Sequence, residues 1–500
     1  MTFTEPTAAQ YVLLPVRGLR ATEPSSSPQV VQFLTSLDAG IGEIQTLGAA
    51  GGSGPTIRVL DSIGPDGAKL VELTPESAMA LRVLQPELQL VPVVFYSAAV
   101  VRRPTVTRGP KAVPGAVGDV TLQVVSATDG TAVAGAIVVA YTNYAASTGA
   151  QGVSDSQGNV TLALGGSSVP LDRLYVYPLT AFWSLRQLSV TVTTGNRVSL
   201  SPLDLTVPDA LRYYFGGASD AAGAGVTVAV IDTGVANHRD LVVSGGASTV
   251  TGEDPTAYGD NGTGHGTHVA GIIAARGNPP TGLRGVAPGV TLRSYRVCGQ
   301  GSLQAASFSV AKAIDMAASD GCDLINMSLG TGILDPVLKT AVEGARAKGS
   351  LCIIAAGNGN RGPVGFPASD AMAVAVSALG RNGTFPATSA EADDVAAPFG
   401  TDSAAFVASF TNIGTQIGLI GPGVGVMSTV PGGYAEISGT SMSCAAGTGA
   451  AARIVAASPV LHNTRDAARS AAMVSAILGS GAPQGFGPQF EGHGLPMPPA

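Results

Sequence analysis

The sequence predicts a multidomain protein whose largest part is an α/β domain with a mostly parallel sheet, preceded by a ferredoxin-like α+β domain and a small β-sandwich. Three observations predict it. The chain has 500 residues, more than a single hydrophobic core usually organises. Continuous apolar strand-like runs alternate with Ala-rich helical text over residues 204–500, whereas residues 117–203 carry only short strand and turn signals. Between 101 and 116 a basic, Pro-rich stretch interrupts both patterns and marks an exposed linker.

Residues 1–100 contain the first domain. YVLLPV reads as a strand, Ser27-Pro28 opens a helix over QVVQFLTSL, TIRVLDSI and AKLVEL are strands around a GPDG turn, and Thr74-Pro75 opens a second helix. A hydroxyl residue followed by proline is a helix start, since proline has no N–H to leave unpaired there. The order β-α-β-β-α-β is that of the ferredoxin-like unit. LQLVPVVFYSAAVV, Leu88 to Val101, reads as one buried strand; it is too short to cross a bilayer and contains Pro92.

Residues 117–203 alternate VTLQVVS, AIVVAYT, VTLAL, RLYVYP, LSVTV and VSL with turns such as ATDG and SDSQGN, the pattern of a sandwich. SDSQGNVTLAL resembles the prealbumin-like type. From 204 onward, VTVAVIDTG, DLINMSLG, LCIIAAGN and AMAVAVSA are strands covered on both faces by helices. Ligands of such sheets bind beyond the carboxyl ends of the strands.

Composition narrows the function. Charged residues make up 12% of the chain, against roughly a quarter in an average soluble protein, while Gly (67) and Pro (33) are abundant. The net charge is −7, and basic residues do not cluster with aromatics, which excludes nucleic acid as the expected partner. No transmembrane segment is expected. MTFTEPTAAQ lacks the basic start and apolar core of a signal peptide, so the expectation is a cytoplasmic protein or one exported by a non-Sec route. Cys298, Cys322, Cys352 and Cys444 have no C-x-x-C spacing, so zinc is not expected and buried free thiols are favoured over disulfides.

Three polar residues stand at strand ends or helix starts: Asp232 closing VAVIDTG, His265 opening HGTHVAGI, and Ser441 in SGTSMSCAAG, read as the cap of a closely packed helix. Acyl transfer needs these types together. A serine hydroxyl is a poor nucleophile until an imidazole takes its proton and a carboxylate holds the imidazole's tautomer. Alone, each could equally be a cap or a packed polar residue. His268 is assigned to packing, and His238 to a loop.

VIDTG, HGTHVAG and GTSM, in that order, together resemble the subtilisin-like serine proteases, for which an Asp-His-Ser order is the rule. The resemblance implies Ser441 as nucleophile, His265 as general base, Asp232 as its orienting carboxylate, and Asn358 in IIAAGN as an oxyanion donor beside the Ser441 N–H. It further implies pocket walls at Ser328, Leu329 and Gly330 and at Ala356 and Gly357, with Gly365 in the floor. An open floor without an acid predicts large apolar residues before the scissile bond. Asp240 matches a calcium ligand of the family, so structural calcium is an implied ion, and no other cofactor is required.

The sequence departs from that family in places. SCAAG follows the nucleophile where Ala, a variable residue, Pro, His and Val are usual, and residues 381–404 read as an added surface insertion. The predicted function is a serine endopeptidase acting on protein or peptide substrates, made as a self-processed zymogen with its own N-terminal domain as intramolecular inhibitor. The rival readings are a peptide-holding pseudoprotease and an adhesion or targeting protein whose working part is the sandwich.

Overall fold

The computed structural model describes residues 8–21, 27–46, 56–101, 103–109 and 118–499. Of the basic stretch, Arg102 and residues 110–117 lie outside the described residues, as does most of MTFTEPTAAQ.

The largest sheet runs in the order Val243–Ser248, Thr291–Arg296, Thr227–Asp232, Leu324–Met327, Leu351–Ala355, Val374–Arg381, Ala405–Val407, with Ile417–Pro422 also paired to Val374–Arg381. Its pairs are parallel except that of Val374–Arg381 with Ala405–Val407. Every residue of Leu324–Met327 and Leu351–Ala355 is buried, which is why these strands are apolar without alternation. Helix Thr440–Ala456 crosses the sheet and is buried almost throughout. Its small side chains allow this: a methyl group on Gly449 would come within 2.7 Å of the Val286 side chain, and one on Gly421 within 2.7 Å of the Ser443 carbonyl.

Ser441 does not cap that helix. The cap position is Gly439, and Thr440 and Ser441 already lie in the first turn. A side-chain cap is unnecessary because Asn358 Oδ1, from another segment, accepts the Thr440 N–H at 3.0 Å.

At the N-terminus, an antiparallel sheet is ordered Ile44–Thr46, Thr56–Ser62, Lys69–Leu73, Ala9–Pro15, Leu88–Pro92. Helices Pro28–Asp38 and Pro75–Leu84 share a core with it through Val30, Leu34, Leu37 and Leu81. Both helices begin as their sequences require, with Ser27 and Thr74 hydroxyls accepting the Val30 and Ser77 N–H groups. The run Leu88 to Val101 is not one strand. It divides into Leu88–Pro92, which stays in this sheet, and Phe95–Ala98, which pairs with the large domain. Pro92 supplies no N–H to continue the ladder, and the chain changes partner after it.

Two further sheets, one of Asn159–Leu162, Val120–Ser126 and Arg197–Leu200, the other of Leu185–Thr193, Ser168–Tyr177, Ile137–Asn143 and Thr148–Val153, enclose a core that includes Leu122, Val138, Leu162 and Leu174. This unit is seated on residues 381–404, so that segment is not a free surface insertion. Asp393 pairs with Arg186 at 2.5 Å and Arg173 at 3.4 Å, and Ser184 donates to Glu391 at 2.9 Å. Trp183 packs beside Leu283, Met427 and Tyr434 of the large domain. All four cysteines are free and buried.

Candidate active site

Asp232 is the last residue of its strand, paired with Arg296 on one side, while Ile231 before it is paired on both. Its Oδ1 accepts His265 Nδ1–H at 2.6 Å and the Thr233 N–H at 2.7 Å. His265 begins helix His265–Ala274 after Gly264, whose φ of 77° is readily adopted only without a side chain. Gly266 then permits the approach: a methyl group there would meet the Gly234 carbonyl at 2.3 Å and Asp232 Cβ at 3.2 Å. Thr233 Oγ1 accepts the Gly266 N–H at 2.9 Å, tying the helix start to the strand end. The arrangement spends Nδ1 on Asp232 and leaves His265 Nε2 buried without a partner among the described residues.

Ser441 is fully buried, and its Oγ donates to the Ser328 carbonyl at 3.1 Å. Ser328 Oγ returns a bond to the Ser441 carbonyl at 3.2 Å. Asn358 is fixed from one side only: its Oδ1 accepts both the N–H and the hydroxyl of Thr440, at 3.0 and 2.8 Å. Those two donors set the orientation of the amide, and the buried Nδ2 has no partner among the described residues. Thr440 was not singled out in the sequence, where it is one hydroxyl residue in a Ser/Thr-rich run.

The walls are tied together. Thr331 N–H donates to the Phe366 carbonyl at 2.8 Å and Gly365 N–H to that of Ala356 at 3.1 Å. A methyl group on Gly365 would approach the Thr331 carbonyl to 2.9 Å. Asn412 braces Gly357 and its neighbours, donating to the Ala356 carbonyl at 3.1 Å and accepting the Gly359 N–H at 2.7 Å.

The chain's own segment lies in this cleft. Phe95–Ala98 is the middle strand of a three-stranded antiparallel sheet between Gln304–Ala306 and Leu329–Gly330, with Ser97 opposite both Gln304 and Gly330. Next, the Ala99 N–H donates to the Ser328 carbonyl at 2.9 Å, and the Ala99 carbonyl accepts the Ser441 N–H at 3.1 Å. The Val101 N–H donates to the Ser438 carbonyl at 3.0 Å. Gly439 admits this passage, since a methyl group on it would meet the Ala99 oxygen at 2.5 Å. Tyr96 is fully buried, and its hydroxyl reaches Asp335 Oδ2 at 3.1 Å. Asp335 also caps helix Pro336–Ala347 through the Val337 N–H, and burial pushes its carboxyl up. The Asp335-Pro336 pair reads in the sequence as a helix start and nothing more.

His268 is buried, with Nε2 between the Val426 and Ala435 carbonyls at 3.0 and 3.2 Å, and burial lowers its pKa to about 3. The four thiols are inert by burial as well; Cys444, one turn past Ser441, is pushed upward. Asp240 Oδ2 accepts the Leu283 N–H at 2.9 Å and the Tyr434 O–H at 2.8 Å. Among the described residues no group of three or more His, Cys, Asp or Glu side chains could hold a metal ion. No helix among them is long and apolar enough to cross a membrane.

Comparison with known proteins agrees with this geometry. Residues 223–490 match the model of the subtilase family, Peptidase_S8. Alkaline elastase YaB of Bacillus sp. (strain YaB) is 40% identical over 244 residues, which cover 49% of this chain and 57% of the elastase. Subtilisin Savinase of Lederbergia lenta is 38% identical over 244 residues, 49% of this chain and 81% of the relative; subtilisin DY of Bacillus licheniformis is 40% identical over 248 residues, 48% and 80%. The matched part thus spans little more than half of the elastase's own length. With the strand-end aspartate bonded to the helix-start histidine, and the family's model covering the segment that carries them and the helix-borne serine, the chain belongs to the subtilase family.

Proposed function

We propose that the protein is a serine endopeptidase made as a self-restrained precursor, whose first act is cleavage of its own Ala99–Val100 bond. One observation carries the reading: the Ala99 carbonyl sits on the Ser441 N–H while the flanking strand pairs with both walls of the cleft. A peptide held so is held by its backbone, which suits cleavage of many sequences.

In the proposed mechanism Ser441 Oγ leaves the Ser328 carbonyl, gives its proton to His265 Nε2 and attacks the Ala99 carbonyl carbon. Asp232 holds the imidazole with Nδ1–H toward itself and stabilises the imidazolium that forms. The developing oxyanion is met by the Ser441 N–H and by Asn358 Nδ2, which is buried and has no partner among the described residues. His265 then protonates the Val100 nitrogen as the C–N bond breaks. Water, deprotonated by His265, releases the acyl group and restores Ser441. Residues 1–100, read as a ferredoxin-like prodomain, restrain the enzyme by leaving this segment in place. The intervening β-sandwich remains with the enzyme, held at Asp393. For other substrates the floor of Gly365 beside the buried, apolar Phe366 supports a preference for large apolar residues before the scissile bond. The peptide-holding alternative is not favoured, since every group that turnover requires is present.

The test is intact-mass analysis of the full chain and its Ser441→Ala variant. Wild type should yield a fragment ending at Ala99, and the variant should stay whole. A variant that processes itself like wild type would overturn the assignment.

A further inference from the structure

Beyond the scissile bond the cleft opens into a cavity of about 580 Å³ that reaches from His265 and Ser438 to Tyr177 and the segment around Glu391. Its lining comes from Val100, Val101, Arg103 and Pro104 of the segment itself, from Tyr144 and Tyr177 of the two-sheet unit, which lies outside the matched residues, and from the large domain, including the 381–404 segment on which that unit sits. Glu391, Asp393, Asp394 and Glu436 all face it. Asp393 is answered by Arg173 and Arg186. Glu391 and Glu436 instead share the two polar groups of Ser184, its hydroxyl at 2.9 Å and its N–H at 3.2 Å. Among the ion pairs of the described residues, none gives Glu391, Asp394 or Glu436 a cation. Burial and then the nearby Glu391 push the Asp394 and Glu436 carboxyls up.

One lining residue, Arg103, belongs to the segment that runs through the cleft and is itself exposed. The hydrogen bonds of Ala99 and Val101 set the register of the segment, so Arg103 is the fourth residue after the scissile bond. Its guanidinium lies 5.0 Å from the centroid of the Tyr177 ring, and its charge acts on Glu436 against the effect of burial. A guanidinium stacked on an aromatic face and set among carboxylates satisfies both halves of its chemistry. The position offers a basic side chain an aromatic face and carboxyl groups, whereas the cleft before the scissile bond offers backbone pairing.

We propose that this cavity is a recognition site for a basic side chain four residues after the scissile bond, so that the enzyme favours polypeptides with Arg or Lys there. The inference rests on the endopeptidase reading and adds to it a specificity that the two-sheet unit supplies. Removing that unit would take away Tyr144 and Tyr177, the aromatic side of the site, which gives a domain inserted between prodomain and protease a reason to stay attached after processing.

The test uses enzyme produced from the full chain and three quenched fluorescent peptides, Tyr-Ser-Ala-Ala-Val-Val-Arg-X, with X as Arg, Gln or Glu. The expected order of kcat/KM is Arg above Gln above Glu, with about tenfold between Arg and Gln at low salt and less at high salt, as a screened charge requires. In the Glu436→Gln variant the ratio of Arg to Gln should fall to about twofold or less. Equal kcat/KM for the three peptides in wild type would overturn the recognition site and leave the endopeptidase reading intact. Failure to cleave any of them would remove both. A second readout needs no added substrate: the Arg103→Glu chain should process itself several-fold more slowly than wild type, and processing at the wild-type rate would count against the site.

Discussion

The backbone N–H of Ser441 points at the carbonyl oxygen of Ala99, 3.1 Å away, while the N–H of the same Ala99 is held by Ser328 at 2.9 Å. Two bonds of opposite sense on one residue orient its carbonyl, and Asn358 Nδ2 is left as the second donor, without a partner among the described residues. Asn358→Asp should therefore lower kcat about a hundredfold or more with little change in KM, because the donor acts where negative charge develops. The aspartate keeps an oxygen for Thr440 and so preserves the helix start. Steady-state kinetics decide it; a change confined to KM would contradict the role.

The floor at Gly365 carries no acid, and its neighbour Phe366 is apolar and buried. Peptides with Phe, Tyr, Leu or Met before the scissile bond should outpace those with Arg or Asp by about tenfold or more, since a charge there would be buried without a partner. A positional peptide library measures this. Preference for Arg would refute it.

Tyr96 reaches Asp335 at 3.1 Å from within a fully buried position. The fragment 1–99 should inhibit the processed enzyme, and Tyr96→Phe should weaken that inhibition several-fold, in line with about 1 kcal/mol for one buried hydrogen bond. Tyr96→Ala should weaken it far more, since the ring's packing is lost as well. Equal inhibition constants for all three fragments would mean that Tyr96 does not anchor the segment.

His268 is held neutral by burial, its pKa lowered to about 3 in the folded protein against about 6.5 when unfolded. The unfolded chain therefore binds more protons between those values. The contribution of His268 to stability is complete above about pH 6.5 and is lost as pH falls toward 3. Asp335, Asp394 and Glu436, pushed up by burial, act in the opposite sense. Melting temperatures of wild type and His268→Gln across pH 5 to 7 should thus fall less steeply, on acidification, in the variant. Parallel curves would contradict the assignment.

How far the sequence reaches can be judged from single residues. Asp232, His265 and Ser441 were legible because each sits in a short motif at a strand end or helix start, where local rules place a polar group at one edge of a parallel sheet. The helix starts at Ser27 and Thr74 were legible for the same reason: cap and proline lie within a few residues. Ser441's position inside the helix was not, since the group that relieves the need for a cap is Asn358, far away in the chain. The division of Leu88 to Val101 was also hidden, because pairing partners of the second half lie at Gln304–Ala306 and Leu329–Gly330. The sequence by itself thus determined the chemical types, their order and the family. Only the tertiary structure decided which carbonyl lies on the Ser441 N–H, what Tyr96 meets, and that Arg103 lines a cavity together with residues distant from it in the chain. Each of these depends on contacts between residues distant in sequence, which leave no periodic or local signal to read.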